Sequence, residues 1–309
     1  MKPFKIKVPA TSANLGPGFD SIGIALSKYV TLDCHSAETW GFTVPDKDKN
    51  SIPAGKDNLI YKSALYTANL YNQETLPPFH ITMKNDVPVA RGLGSSSTAV
   101  VGGIEIANQI LNLQLTAYEK LKIACEIEGH PDNVAPAIYG GIVVSSYDGN
   151  HLDFVHFTKG LDELTWLAII PEYHLETEQA RALLPLELNY KKAVHASGTA
   201  NVLVAALAQQ NWKLAGKMML QDQWHQPYRK EMIPGFDQVT DIVRAQGALG
   251  LYLSGAGPTM IALFDTISQK ELQKIKNQLS AYEVEALKIN KTGAEVNSSS
   301  LQSNGMKLN

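Results

Sequence analysis

Cysteine is scarce in this chain. Cys34 and Cys125 are the two in 309 residues. That is too few for a disulfide framework, and their separation matches no metal-ligand spacing. Both lie in apolar patterns, so buried thiols of a reducing compartment are expected. An excess of one charge is also missing: a formal net charge of −3 leaves no basic footprint for nucleic acid or an anionic membrane surface. No apolar run approaches the roughly 18 residues a membrane span requires. Met1 to Val8 carries no signal-peptide core, and a cytoplasmic protein is expected. No internal repeat is present. Two nucleotide signatures are lacking as well. No Lys follows Gly92 and Gly94, which excludes the Walker loop, and Ser97 stands where the dinucleotide fingerprint has its third Gly.

What is present describes an ordinary globular protein, 44% hydrophobic and 18% charged. The length suits two domains. Phe4, Ile6 and Val8 alternate with Lys5 and Lys7, which predicts a half-buried strand ending at Pro9. Residues 9–20 read as a loop. Strand character covers 22–34, 79–83, 139–147, 164–171, 250–254 and 259–264. Helical spacing covers 58–71, 95–111, 239–246 and 268–279, with a helix-rich stretch over 177–219. Thr116 with Glu119 is a capping-box signature, and the helix it opens stops at Gly129. The polar stretch 148–162 marks a boundary. We therefore expect one domain over 1–155, a second over 156–292, and a disordered Ser- and Asn-rich tail over 293–309. Strands and helices mix without strict alternation, which predicts the α+β class.

Residues 89–100 are the most informative. Gly92 and Gly94 permit a tight turn, and Ser95 to Thr98 lead into an apolar helical pattern. A helix start of this kind attracts anions through its unpaired N–H groups and dipole, so the stretch reads as a phosphate cradle. A glycine turn before a well-capped core helix accounts for the same residues. Three further segments are polar and abut regular elements: residues 9–20 with Asn14 and Asp20, residues 128–133 (Glu-Gly-His-Pro-Asp-Asn), and residues 253–259 (Leu-Ser-Gly-Ala-Gly-Pro-Thr). Each also has a plain reading, as a self-satisfied turn, a Gly-terminated helix before a Pro turn, or a glycine hairpin.

Pro88 to Ser96, Pro-x3-Gly-Leu-Gly-Ser-Ser, resembles the signature of the GHMP small-molecule kinases. The N-terminal and C-terminal glycine segments are similar to that family's other two motifs in order and placement, and the resemblance covers residues 4–290. It implies a two-domain fold: an N-terminal nucleotide-binding α+β domain, a ferredoxin-like C-terminal α+β domain and a cleft between them. It implies ATP and Mg²⁺ as cofactors and leaves room for a homodimer. The wording of residues 9–20, 128–137 and 253–259 is similar to the branch acting on L-homoserine. That implies phosphorylation of its side-chain hydroxyl in threonine biosynthesis. Another alcohol, or a non-catalytic relative that binds a metabolite, is the alternative.

The resemblance also implies roles. Arg91, Gly92, Leu93, Gly94, Ser95, Ser96 and Ser97 match the phosphate loop, and Asn58 resembles the position facing the adenine. Ser96 and Glu128 match the metal site, with Glu126 as a second register. Asn14, Asp20, His130, Asn133 and Gly257 match the amino-acid pocket. Thr177, Arg181 and Arg229 match positions that hold its carboxylate. Asp132 sits near the place where some members carry a base, whereas the branch is similar to kinases that work without one; Asp132 and Arg181 are the catalytic candidates. The chemistry of a zwitterion fits independently, because both ends must be paired to be desolvated. Arg181 and Arg229 offer forks for a carboxylate, Asp20 a charge for an ammonium and Asn14 a neutral partner. Either Arg as a solvated surface residue, and His130 as a structural hydrogen-bonder, are the plain readings.

Overall fold

The structure, a computed structural model, describes residues 2–298. The N-terminal half runs β1 (Phe4–Ala13), β2 (Ile22–Ser36), β3 (Gly41–Thr43), α1 (Leu59–Leu70), β4 (Phe79–Asn85), α2 (Ser95–Leu111), α3 (Ala117–Glu128), α4 (Val134–Tyr139), β5 (Ile142–Tyr147) and β6 (Leu152–Phe157). The second half runs β7 (Thr165–Pro171), α5 (Thr177–Ala182), α6 (Tyr190–Ala208), α7 (Trp212–Met219), α8 (Gln226–Arg229), α9 (Phe236–Ala245), β8 (Gly250–Leu253), β9 (Met260–Phe264), α10 (Gln269–Gln278), β10 (Tyr282–Leu287) and β11 (Glu295–Ser298).

Pro9 does not end β1. The β1–β2 register runs from Phe4↔Cys34 to Ala13↔Gly23 and shifts once, between Pro9 and Ala10. Proline brings no N–H to the ladder, and a bulge beside it lets the strand continue. The segment expected as loop is therefore strand to Ala13, and the tight link to β2 carries Asn14 and Asp20. The first sheet has seven strands, in the order β11-β1-β2-β4-β3, with β5 on the other stretch of β2 and β6 on β5. Two expectations change here. Part of the polar stretch 148–162 is β6, hairpin partner of β5. Residues 295–298, expected in a disordered tail, pair with β1 from Lys7↔Glu295 to Phe4↔Ser298. Residues 299–309 of that tail lie outside the described residues.

The second sheet has the order β10-β7-β9-β8, with every pairing antiparallel. Numbered within the domain this is 4-1-3-2, the ferredoxin-like arrangement, with α5 to α9 placed between its first and second strands. Both faces of β7 are buried. Side chains alternate across a strand. Leu167 and Ile169 therefore pack with Val239, Val243 and Ile275 on one face. Trp166, Ala168 and Ile170 pack on the other face with Leu203, Ala215 and Met219, in one cluster continuous with the N-terminal core. That shared cluster fixes the two sheets about a common cleft. α3 points its C-terminus toward it. The helix opens on the expected Thr116–Glu119 capping box and closes on Gly129 in a left-handed conformation, φ 83°.

Candidate active site

Three glycine segments far apart in sequence meet at the cleft. Thr11 N–H donates to Leu93 O (3.2 Å), Gly255 N–H to Ala13 O (3.2 Å) and Thr259 N–H to Arg91 O (3.3 Å). Ser254 Oγ donates to Gly92 O and lies 2.7 Å from Ser12 Oγ. Gly92 and Gly94 are thus required by protein packing. A Cβ on Gly92 would stand 2.4 Å from Ser254 O, and one on Gly94 2.0 Å from Thr11 Oγ1. The loop is clamped between β1 and the β8–β9 turn.

α2 is not capped in the way its serines suggest. Its N-cap is Gly94, at φ 69°, with no side-chain cap. The first intrahelical bond is Thr98 N–H to Gly94 O, 2.9 Å. The hydroxyls are engaged elsewhere. Thr98 Oγ1 donates to Ser95 O (2.8 Å), Ser95 Oγ accepts from Ala90 N–H (3.4 Å), and Ser96 Oγ donates to Glu128 Oε1 (2.6 Å). The N–H groups of Ser95 to Ser97 precede that first bond and belong to a stretch lining a cavity of about 350 Å³. A helix of 17 residues with an uncapped, cavity-facing first turn is suited to an anion. Glu128 lines the same cavity, whereas Glu126 accepts a hydrogen bond from Tyr66 Oη, 3.1 Å, away from it. Oxygen donors of this type suit a hard divalent cation such as Mg²⁺.

Of the residues singled out above, Asn14, Asp20, Gly92, Gly94, Ser95 to Ser97, Glu128, His130, Asp132, Asn133, Thr177, Arg181 and Arg229 line this cavity together. Leu93 is fully buried beneath the loop. Gly257 is not in the lining; Gly255 and Ala256 take that place. Arg91 turns away from the phosphate loop, donating to Glu172 O (2.9 Å) and lining a separate cavity with Lys28 and Glu283. Asn58 lies in the wall of a neighbouring, mostly apolar cavity of about 420 Å³, which shares Ala90, Ser95, Ser96 and Thr177 with the first. Its amide is engaged as the N-cap of α1, accepting from Ile60 N–H (2.9 Å) and donating to Pro53 O (2.7 Å).

In the same cavity Arg181 and Asp20 form a two-pronged ion pair, 3.0 Å on each arm. Arg229 is no surface residue: it is 2% exposed. Its Nε donates to Ala180 O (3.2 Å), and its Nη1 to Gly255 O (3.0 Å) and toward His225 Nδ1 (3.3 Å). Burial, and then the charge of Arg181, lower its pKa to about 10. Phe19 lies against both guanidiniums, its ring centre 5.6 Å from Arg181 Cζ and 5.2 Å from Arg229 Cζ. Asn14 is less available than its type suggests. Its Nδ2 donates to Gly255 O (3.1 Å) and its Oδ1 accepts from Asp20 N–H (3.0 Å). Asn133 Oδ1 accepts from Thr11 Oγ1 at 2.8 Å. Sequence reasoning passed over Phe19 and His225. Phe19 stood inside a segment already marked, and His225 lies one helical turn before Arg229.

Asp20, His130 and Asp132 bring their polar tips within 4.8 Å of one another. His130 Nδ1 donates to Asp132 Oδ1, 2.6 Å. Burial, the largest single influence, would lower the pKa of this imidazole. The hydrogen bond and charge of Asp132, with the charges of Asp20 and Glu128, together outweigh it, and the value rises to about 9. The imidazole beside Asp20 and Asp132 is thus protonated near neutrality. Because the folded value lies above the ordinary 6.5, the pair's contribution to stability is complete below that pH and is lost as pH rises through about 9. Denaturant melts from about pH 6 to about pH 10 are expected to lose up to about 3 kcal/mol in the wild type. His130→Gln should flatten this decline; equal pH slopes in the two proteins would remove the pair from the account.

Two family models match the chain: the GHMP kinase N-terminal domain over residues 58–141 and the GHMP kinase C-terminal domain over residues 203–285. They define the class. Within it, a homoserine kinase from Halalkalibacterium halodurans is 43% identical over 296 residues, 95% of each chain. One from Streptococcus mutans is 44% identical over 281 residues, 91% of this chain and 93% of its own. The solved structure of homoserine kinase from Cytophaga hutchinsonii, 30% identical, has a TM-score of 0.83 over 96% of this chain and 98% of that one. A mevalonate kinase at 18% identity shares the fold, with a TM-score of 0.70 over 92% of this chain and 98% of that one. The chain belongs to the homoserine kinase family of the GHMP kinases.

Proposed function

We propose that this protein transfers the terminal phosphoryl group of ATP to the side-chain hydroxyl of L-homoserine, giving O-phospho-L-homoserine for threonine synthesis in the cytoplasm. The observation that carries this reading is the charge layout of one cavity. The uncapped first turn of α2 and the charged groups of Asp20, Arg181 and the buried Arg229 line it together. A zwitterion entering between them finds a partner for each charge, and its loss of water is compensated.

Bound ATP with Mg²⁺ supplies the phosphoryl group and part of the charge that offsets its oxygens. The chain's own residues hold the geometry. The N–H groups of Ser95 to Ser97 and the dipole of α2 orient phosphate oxygens. Ser96 Oγ and Glu128 are the donors that would hold the cation. The apolar cavity that shares Ser95 and Ser96 is sized for a nucleoside. Arg229 and Arg181 orient the acceptor's carboxylate and Asp20 its ammonium, so the hydroxyl is left facing the loop. Asp132 Oδ1 is occupied by His130, and that bond holds the carboxylate as a fixed acceptor in the cavity wall. Positioning and charge suffice for this class of transfer, with little covalent help from the protein.

A coupled ADP-release assay with homoserine, serine, mevalonate and galactose tests the reading. Preference for homoserine is expected. Turnover of another alcohol in its place, or none with any, would overturn it. Ser96→Ala and Glu128→Gln are each expected to lower kcat by roughly 10–100-fold, with homoserine binding nearly unchanged. Turnover near wild type in both variants would remove the cation from this pair.

A further inference from the structure

We infer that His225 fixes the guanidinium of Arg229 so that Nη2 alone faces the cavity, and that this single edge, not a fork, meets the acceptor's carboxylate. The inference rests on the assignment of Arg229 to the substrate made above. His225 is fully buried and is not part of the cavity lining. Asp222 shapes the turn that carries it, accepting the N–H groups of Trp224 (2.7 Å), His225 (3.1 Å) and Gln226 (2.7 Å). That turn opens α8 and sets His225 four residues before Arg229, one helical turn away on the same face.

The ring's proton is located by its neighbours. Nε2 stands 3.0 Å from Gly16 O. A carbonyl only accepts, so Nε2 carries the proton. Nδ1 then presents a lone pair to Arg229 Nη1 at 3.3 Å, and a guanidinium only donates. Burial, together with the Arg229 charge and against the pull of Asp222, lowers the imidazole's pKa to about 4, so the ring stays neutral and Nδ1 stays an acceptor. Phe19 stacks on the same imidazole, centroids 5.4 Å apart at 25°. With Nε on Ala180 O and both Nη1 protons directed at Gly255 O and His225, Nη2 is the guanidinium nitrogen without a partner among the described residues. His225 therefore acts through Arg229 as a positioning residue.

Two substitutions separate this role from mere packing. His225→Gln places an amide where Nε2 stands, keeping the Gly16 contact and offering nothing at Nδ1. His225→Asn places a carbonyl near Nδ1 and gives up Gly16. His225→Gln is expected to raise the KM for homoserine about tenfold, with the KM for ATP within about twofold of wild type. His225→Asn is expected to recover most of the loss, although both variants lose thermal stability. A wild-type homoserine KM in His225→Gln, or an Asn variant no better than Gln, would overturn the inference. So would a parallel rise in both KM values. Where neither variant folds, nitrogen-15 NMR of the wild-type ring decides. A neutral imidazole protonated on Nε2 is expected, and a proton on Nδ1 would overturn the assignment. If the wild type transfers no phosphate to homoserine, the proposed function fails by itself. The Arg229 Nε–H resonance still reports on positioning: a shift in His225→Gln supports it and an unchanged signal overturns it.

Discussion

Arg229→Ala is expected to raise the KM for homoserine by roughly 30-fold to several-thousand-fold, the cost of removing one partner from a desolvated, charge-assisted pair. The KM for ATP should move little, because no nucleotide-facing group is lost. The structure separates the two arginines, which sequence reasoning had treated alike. Arg229 is buried and already oriented, so its carboxylate contact forms with little ordering cost. Arg181 is about half exposed and holds Asp20 in the free protein. That pair must open to admit the zwitterion, which offsets part of what Arg181 contributes. Arg181→Ala should therefore cost distinctly less than Arg229→Ala. Arg229→Lys should recover only a minor part, since an ammonium cannot reach Ala180 O, Gly255 O and the substrate at once. Truncation also strands Ala180 O and leaves Gly255 O with Asn14 Nδ2 alone, so thermal melts must accompany the kinetics. 3-Aminopropan-1-ol, which lacks the carboxylate, should be a poor acceptor for wild type and nearly indifferent to either change. A near-normal homoserine KM in Arg229→Ala would end the amino-acid assignment.

Much of this site was legible as residue types, and little of it as pairings. The α2 loop, the Thr116–Glu119 box and the Gly129 stop are local signals, carried within a few residues of where they act. Asp20 and Arg181 are 161 positions apart, and nothing local says that two groups expected to bind a ligand bind each other in its absence. The choice between Glu126 and Glu128 was open for a related reason. Residues two apart on a helix point to widely different sides, and which side meets Ser96 depends on how α3 packs on α2. The missed strands follow the same rule. β11 lies in a Ser- and Asn-rich stretch and is held by backbone pairing with β1 and by the single apolar side chain of Val296, too little side-chain pattern to read. β6 is a largely exposed edge, with one buried residue at its start. β1 was cut short because Pro9 reads as a terminator until the bulge that accommodates it is seen.

Gly94→Val is expected to abolish ATP binding and to destabilise the fold by about 2–6 kcal/mol, combining a strained backbone with overpacking. If Gly94 did no more than let the backbone approach phosphate, a side chain there would block the ligand and leave the fold intact. The geometry places the damage inside the protein. At φ 69° a β-branched residue is strained before it meets anything. The added Cβ then stands 2.0 Å from Thr11 Oγ1 and 3.2 Å from Thr11 N. Thr11 cannot yield cheaply, because its N–H holds Leu93 O and its hydroxyl holds Asn133. Pushing it away separates the loop from β1, shifts a residue of the acceptor cavity and tilts the first turn of α2. Loss of nucleotide and loss of stability should therefore appear together. The two causes can be told apart by a cycle with Thr11→Ala. In Gly94→Ala the partner change should relieve the steric part and leave the backbone part, so the double variant regains some melting temperature and some ATP affinity over Gly94→Ala alone. If Gly94→Val melts as wild type and binds ATP normally in calorimetry, the loop is neither clamped by β1 nor the seat of the phosphates. If it melts as wild type yet binds no ATP, the clamp is wrong and the simpler idea of a blocked phosphate path returns.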